Sequence, residues 1–510
     1  MPAEHNIPAV EPADPQVRKE EGLPPKSYAA AAEEALHDEN THDPSPPDSS
    51  EHKPLQFQHN IENIKTKNIP ISPPTSSDNE FEGQGLDNSP KSPPRGHRRK
   101  VSHKASGSLG RTVGEKASHE VLEDYKSANG KPLTSVKPPA ELEKRTVDQS
   151  RQPRERDALT AGRTAGAGWQ KSKIRWAPLN IPVQRRLQTL AVLMHTLSIA
   201  GGLTIFFFLC SIPLLWPILL PYLIYVLFSN AGVSGELYWR SEYWRNSKIW
   251  SLFASYFPAR LHRSQELEPT RKYIFGYHPH GIISHGAFAA FATEALGFGQ
   301  LFPGITNTLL TLDSNFHIPL YREYALRMGL GSVSGESIRN ILSKGGRNRE
   351  GMGRAVTIVI GGARESLESK PGSFRLVLNR RKGFIKMAIR TGADLVPVLA
   401  FGENEIYDQV DAKSHPYIHK LQLLVKKVMG FTVPLFHARG IFNYDVGMMP
   451  YRRPLNIVTG RPIRIVQEDH PDNHTIDQYH QQYVDELMRI WNDWKDTFAQ
   501  DRKSELELIE

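Results

Sequence analysis

The stretch "YIFGYHPHGIISHG", residues 273–286, begins as an apolar run and stops at a turn that sets two histidines around a proline. A short continuous apolar run bounded by a turn signal reads as a fully buried strand. Tyr273 to Tyr277 is therefore predicted as a strand, with a helix from Ile283 to Leu296 after it. The alternation repeats downstream. "TLLTL" (308–312) precedes a helical stretch around Leu320 to Met328, "AVTIVI" (355–360) runs into Gly361 and Gly362, and "LVPVLAF" (395–401) runs into Gly402. Buried runs alternating with helices predict an α/β fold whose sheet is covered on both faces. Sites in such sheets lie outside the carboxyl ends of the strands. "HPHG" (278–281) and "GGARE" (361–365) both fall there, so the two motifs are expected to meet.

His278, His280 and His285 admit a metal site, a proton-transfer site or a structural turn. Zinc takes three or four N, S or O donors. Two histidines two apart across a stiff proline, no HExxH spacing and one cysteine in the chain argue against a metal. For proton transfer, a carboxylate bonded to one ring nitrogen would fix the tautomer and stabilise the imidazolium. Glu365, behind a glycine pair that permits close backbone approach, is the candidate carboxylate. One imidazole then acts as base while the other shapes the site, and Pro279 biases His278 toward an extended backbone. The backbone N–H groups of Gly281, Gly361 and Gly362 are candidate oxyanion donors or turn residues.

Composition divides the rest of the chain of 510 residues. Before Trp169 there are only four aromatic residues, Tyr28, Phe57, Phe81 and Tyr125, in a segment rich in Pro, Ser, Lys and Glu. Such a segment cannot bury enough apolar surface to offset the entropy of ordering it, so residues 1–165 are expected to be a disordered regulatory tail. The net charge of +8 includes a basic run at Arg95, Arg98, Arg99, Lys100 and Lys104. It has no interleaved aromatics for stacking bases, so no nucleic-acid partner is expected. Ser102 after Arg99, and Ser89 and Ser92 before prolines, make a kinase a candidate partner of the tail. The lone Cys210 excludes an intramolecular disulfide.

From Leu187 to Gly235, 49 residues carry no Asp, Glu, Lys or Arg. About 20 apolar residues span a bilayer as a helix, so a hairpin of two segments, about 189–212 and 213–229, is expected. Pro213, Pro217 and Pro221 would kink the second segment or shape a re-entrant turn. Basic residues on both flanks, Arg185 and Arg186 before and Arg240, Arg245 and Lys248 after, predict both ends in the cytosol. The catalytic domain is then 236–510.

Seven motifs in order carry a resemblance: "RWAPLNIPVQRRLQTL" (175–190), "YFP" (256–258), "HPHG" (278–281), "PLYR" (319–322), "GGARES" (361–366), "RKGFIKMAIRTGADLVPVLAFGENEIY" (381–407) and "VTGRPI" (458–463). From about Trp176 onward the chain resembles the type-2 diacylglycerol acyltransferase family, close to its fungal members. The resemblance implies a membrane-anchored acyltransferase of the endoplasmic reticulum and lipid droplets, joining acyl-CoA as co-substrate to diacylglycerol without a cofactor. His280 matches the family's second motif histidine and Glu365 the glutamate of its GGxxE block. Related glycerol-phosphate acyltransferases place an Asp five positions after the histidine, where this chain has His285, so the carboxylate must come from elsewhere. CoA phosphates need cations, for which Arg322, Arg380, Arg381 and Lys382 are candidates. A monoacylglycerol or fatty-alcohol acceptor, a non-catalytic hairpin protein of lipid droplets and a metal-dependent lipid hydrolase are the alternatives. A homo-oligomer is neither required nor excluded.

Overall fold

The computed structural model describes residues 122–127, 130–139, 174, 176–177, 181–409 and 435–509, with isolated positions at 417 and 424. The described residues belong to one compact unit that includes 115–510. Its centre is a nine-stranded sheet built from β1 (Leu122–Lys126), β2 (Pro132–Val136), β3 (Arg260–Arg263), β4 (Lys272–His278), β5 (Thr306–Thr311), β6 (Gly331–Ser332), β7 (Arg354–Val359), β8 (Ala393–Phe401) and β9 (Asn456–Thr459). The strand order is β1-β2-β3-β9-β8-β4-β7-β5-β6. From β8 to β6 all neighbours are parallel, and β9 runs antiparallel to β8. A mixed α/β fold with a central sheet is what the alternating runs predict.

The long apolar runs have their cause in burial on two faces. Successive side chains of a strand point to opposite sides. Tyr273, Phe275 and Tyr277 of β4 enter one core with Val396, Val398 and Ala400 of β8. Ile274 enters the other with Leu395, Leu399, Val356 and Ile358.

The helices distribute over these faces. α1 (Val183–Thr196) and α4 (Lys248–Tyr256) pack together on the first, with α2 (Ser198–Cys210) and α3 (Trp216–Phe228) running between them in sequence. α5 (Tyr321–Arg327) lies against α2. The second face is covered by α6 (Gly335–Ser343), α8 (Gly383–Thr391) and α9 (Asn473–Phe498), while the short α7 (Gly362–Glu368) follows β7.

Three expectations need correction. Residues 122–126 and 132–136 are not part of a disordered tail. They form a hairpin, β1 paired with β2, whose second strand adds antiparallel to β3. Leu133 is buried, Lys131 pairs with Asp493 at 2.6 Å and Glu123 with Arg260 at 2.8 Å. A few alternating apolar residues suffice for a strand that borrows its core from the sheet, and regional composition hides them. Most of the rest of 1–165, including Ser89, Ser92 and Ser102, lies outside the described residues. The catalytic unit therefore does not start at 236.

The expected first apolar segment, 189–212, is divided. α1 buries Ala191 and Val192 in the domain core, and α2 leaves it at 66° across Leu197. No single described helix is long and apolar enough to cross a membrane, although that bent pair passes together by length and composition. His195, at the end of α1, bonds Tyr324 through Nδ1 at 3.0 Å and lies on the Phe288 ring at 3.9 Å between centroids. Around α2 and α3 the apolar side chains face outward, with Leu214 85% and Phe228 84% exposed. Large apolar side chains exposed together in this way mark a candidate contact surface.

The helix expected over 283–296 is a single turn at His285–Ala287 running into a π-helical turn at Phe288–Ala292. It stops because the buried Arg245 takes its last carbonyl, donating to Ala292 O at 2.6 Å while pairing with Glu294 at 2.8 Å. A guanidinium is well matched to such terminal carbonyls.

Candidate active site

Parallel pairing brings three strand ends to one edge. His278 is registered with Leu399 of β8, and Tyr277 with Val359 of β7. The turns at 278–281, 361–365 and 402–405 therefore emerge side by side, as the carboxyl-end rule requires.

The three imidazoles diverge. His278 points into the α9 face and is fully buried, with Nε2 3.0 Å from Tyr483 Oη. Tyr483 donates its single hydrogen to Gly276 O at 3.0 Å, so it accepts from His278 Nε2–H. A side chain at Gly276 would collide with Tyr483, which explains the glycine within the strand. Burial pushes the His278 ring down to about 3, so it stays neutral. His285 turns to the opposite face, bonding Tyr407 Oη through Nε2 at 2.9 Å and stacking on that ring. Burial, then the neighbouring His195, depress its pKa well below the usual range.

His280 is only half-buried. Its Nδ1 lies 3.1 Å from Gly281 O, which as a carbonyl only accepts, so Nδ1 carries the proton and Nε2 the lone pair. Burial lowers its pKa, keeping the ring neutral at physiological pH. An imidazole with its lone pair on Nε2 and an oriented Nδ1–H has the form of a general base.

Glu365 does reach this loop, but not the ring. Its Oε1 accepts the His280 backbone N–H at 2.5 Å and its Oε2 accepts Val377 N–H at 2.8 Å. Gly361 takes φ +97° and a side chain there would collide with the Glu365 carboxyl, so the glycine lets the acid fold back over the turn. Desolvation pushes Glu365 up to about 8, against the lowering from the His280 and Val377 N–H groups and from Arg381. The expectation that this carboxylate supports the imidazolium directly is corrected: it ties the main chain of one motif to the other. Gly281 and Gly362 likewise occupy turns, at φ +61° and +59°.

Of the candidate cations, Arg380 is exposed beside Arg381, and Lys382 is paired with Asp477 of α9. Arg322 does not join them. It is buried against α3, donating to Ser229 Oγ at 2.9 Å with its guanidinium 4.7 Å from the Tyr225 ring centroid. These contacts tie α3 to the domain.

Sequence reading missed Glu403, buried directly after Gly402 at the end of β8. It accepts Tyr277 O–H at 2.7 Å and Gly286 N–H at 3.0 Å, and burial raises it to about 7. The signal was present, because "FGENE" (401–405) also follows a predicted strand into a glycine.

A neutral, oriented histidine at the carboxyl edge of an α/β sheet is an arrangement suited to acid–base chemistry. Residues 207–509 match the diacylglycerol acyltransferase family. Diacylglycerol O-acyltransferase 2A of Umbelopsis ramanniana is 48% identical, the alignment covering 66% of this chain and 94% of that protein. Diacylglycerol O-acyltransferase 1 of Schizosaccharomyces pombe is 46% identical over 64% of this chain and 92% of its own length. The 2-acylglycerol O-acyltransferase 1 of Bos taurus is 43% identical over 64% and 97%. The chain belongs to the diacylglycerol acyltransferase family.

Proposed function

We propose that the protein transfers an acyl chain from acyl-CoA to the free hydroxyl of diacylglycerol, forming triacylglycerol, with His280 as general base. Family membership over nearly the full length of the relatives carries the reaction class. The Nδ1–H of His280, oriented by Gly281 O so that the lone pair lies on Nε2, carries the assignment of the base.

His280 Nε2 takes the proton of the acceptor hydroxyl as its oxygen attacks the thioester carbonyl. The tetrahedral oxyanion would be met by the Gly281 or Gly361–Gly362 N–H groups. Collapse breaks the C–S bond, and the imidazolium returns its proton to the departing thiolate, giving the ester and free CoA. No acyl-enzyme is needed, so Cys210 has no part. Arg380 and Arg381 are proposed to meet the CoA phosphates, and the outward apolar side chains of α2 and α3 to sit in the bilayer of the endoplasmic reticulum or the surface of a lipid droplet, with the catalytic unit cytosolic.

The bovine relative's name motivates a second acceptor, 2-monoacylglycerol. Incubating the purified protein with labelled acyl-CoA and equal amounts of diacylglycerol, 2-monoacylglycerol and a long-chain alcohol decides the matter. Labelled triacylglycerol as the main product of the diacylglycerol arm supports the reading, and a preference for either other acceptor replaces it.

A further inference from the structure

The Glu403 carboxyl spends its bonds on the loop that carries His280. Oε2 accepts from Tyr277 of β4 and from Gly286 at the far end of the loop, and Oε1 has no hydrogen-bond partner among the described residues. The near end is gripped by contact. A Cβ on Gly281 would lie 2.7 Å from Glu403 Cγ and one on Gly286 2.6 Å from Oε2, closer than real Cβ atoms come. The two glycines of "HGIISHG" (280–286) are thus seats for one side chain. Gly281 is also the residue whose carbonyl holds His280 Nδ1–H. If Gly281 shifts, the imidazole turns, and a misplacement of about 1 Å in a reacting group can cost about 10²-fold in rate.

We propose that Glu403 is the positioning residue for His280: by gripping the loop at Gly281 and Gly286 it fixes the carbonyl that orients the imidazole, and so sets kcat rather than substrate affinity. The inference rests on His280 being the base. It differs from the role of Glu365, which bonds the main chain of His280 from the side of β7 and leaves the ring's own acceptor untouched. A glutamine at 403 keeps an oxygen for Tyr277 and Gly286, whereas a leucine keeps the Cγ against Gly281 and loses both bonds, releasing the loop at Gly286.

The experiment uses the full chain in microsomes, measuring kcat and the acyl-CoA KM for wild type, Glu403→Leu, Glu403→Gln, Tyr277→Phe and His280→Ala, with protein amount and thermal midpoint recorded for each. Glu403→Leu is expected to lower kcat by about 10²-fold with KM within about threefold. Glu403→Gln restores most of the rate, and Tyr277→Phe, which removes one of the two donors, lowers kcat by a smaller factor with KM again unchanged. Should Glu403→Leu not accumulate as folded protein, Tyr277→Phe and Glu403→Gln carry the decision. Near-normal kcat in Glu403→Leu or Tyr277→Phe, a loss expressed in KM, or a glutamine variant as slow as the leucine one overturns the inference. With His280→Ala inactive, those outcomes remove Glu403 alone. An active His280→Ala removes the base and its positioner together.

Discussion

Glu365 holds His280 by the backbone: its Oε1 lies 2.5 Å from the His280 nitrogen of the main chain, while the imidazole Nδ1 is satisfied by Gly281 O. The two motifs that the sequence sets 85 residues apart therefore meet through a peptide group, not through a charge relay. Replacing Glu365 by Gln keeps one acceptor but turns an amide N–H₂ toward one of the two N–H donors. A buried donor left unsatisfied costs about 1–3 kcal/mol. Glu365→Gln should lower the thermal midpoint and kcat together, and a variant with normal stability but no activity would point to a direct chemical role instead.

His280→Ala should abolish detectable transfer in a folded, membrane-associated protein, since a general base contributes about 10² to 10⁴ in rate. Cys210→Ser should leave turnover unchanged. Radiolabelled triacylglycerol formation in microsomes measures both.

Tyr483→Phe should separate support from chemistry. It removes the acceptor of His278 Nε2–H and the donor to Gly276 O, both fully buried. The expected cost is about 2 kcal/mol of stability, with turnover still measurable at low temperature. Loss of activity as complete as in His280→Ala would put His278 into the reaction itself.

Glu403 makes stability depend on pH with a definite sign. Its folded value, about 7, lies above its ordinary value of 4.5. The folded protein thus keeps a proton that the unfolded chain releases, and the associated stability is full below about 4.5 and is lost as pH rises toward 7. Glu365, raised to about 8, extends the same fall. Thermal midpoints measured from pH 5 to 8 should decline in the wild type and decline less in Glu403→Gln. An identical slope in the two proteins would remove Glu403 from the effect.

Removing residues 1–120 should leave specific activity intact, whereas removing 1–140 should not be silent. The longer deletion strips β1 and β2 from β3 and with them the pairs Glu123–Arg260 and Lys131–Asp493. An uncovered edge strand invites pairing between chains, so the shorter protein should aggregate on heating. Equal thermal midpoints and recovery for the two truncations would count against the hairpin's role.

The parallel core was legible because it is buried on both faces. The runs at 273, 308, 355 and 395 announce β4, β5, β7 and β8 to within a few residues. Strands β1, β2, β3, β6 and β9 escaped, being only two to five residues long and lying outside the run of long parallel strands. At the site, residue types and their edge were legible, and bonding partners were not. Whether Glu365 faces a ring or a peptide depends on the backbone at Gly361, φ +97°, and no spacing rule conveys an angle. Glu403 carried a signal in its place after Gly402, but its bonds to Tyr277 and Gly286 became visible only once β8 was laid beside β4.

The close, tilted contact of His195 with Phe288 joins two parts of the fold. α1 lays one face on the core through Gln188, Ala191 and Val192, and α2 departs at 66° from Ser198. Phe288 begins the turn that follows the catalytic loop, and His285 lies 5.7 Å from the same His195 ring. The ring that closes α1 is therefore shared: one imidazole packs against both His285 and Phe288, so the helix that leads into the apolar arm and the segment that follows the 278–286 turn rest on the same side chain.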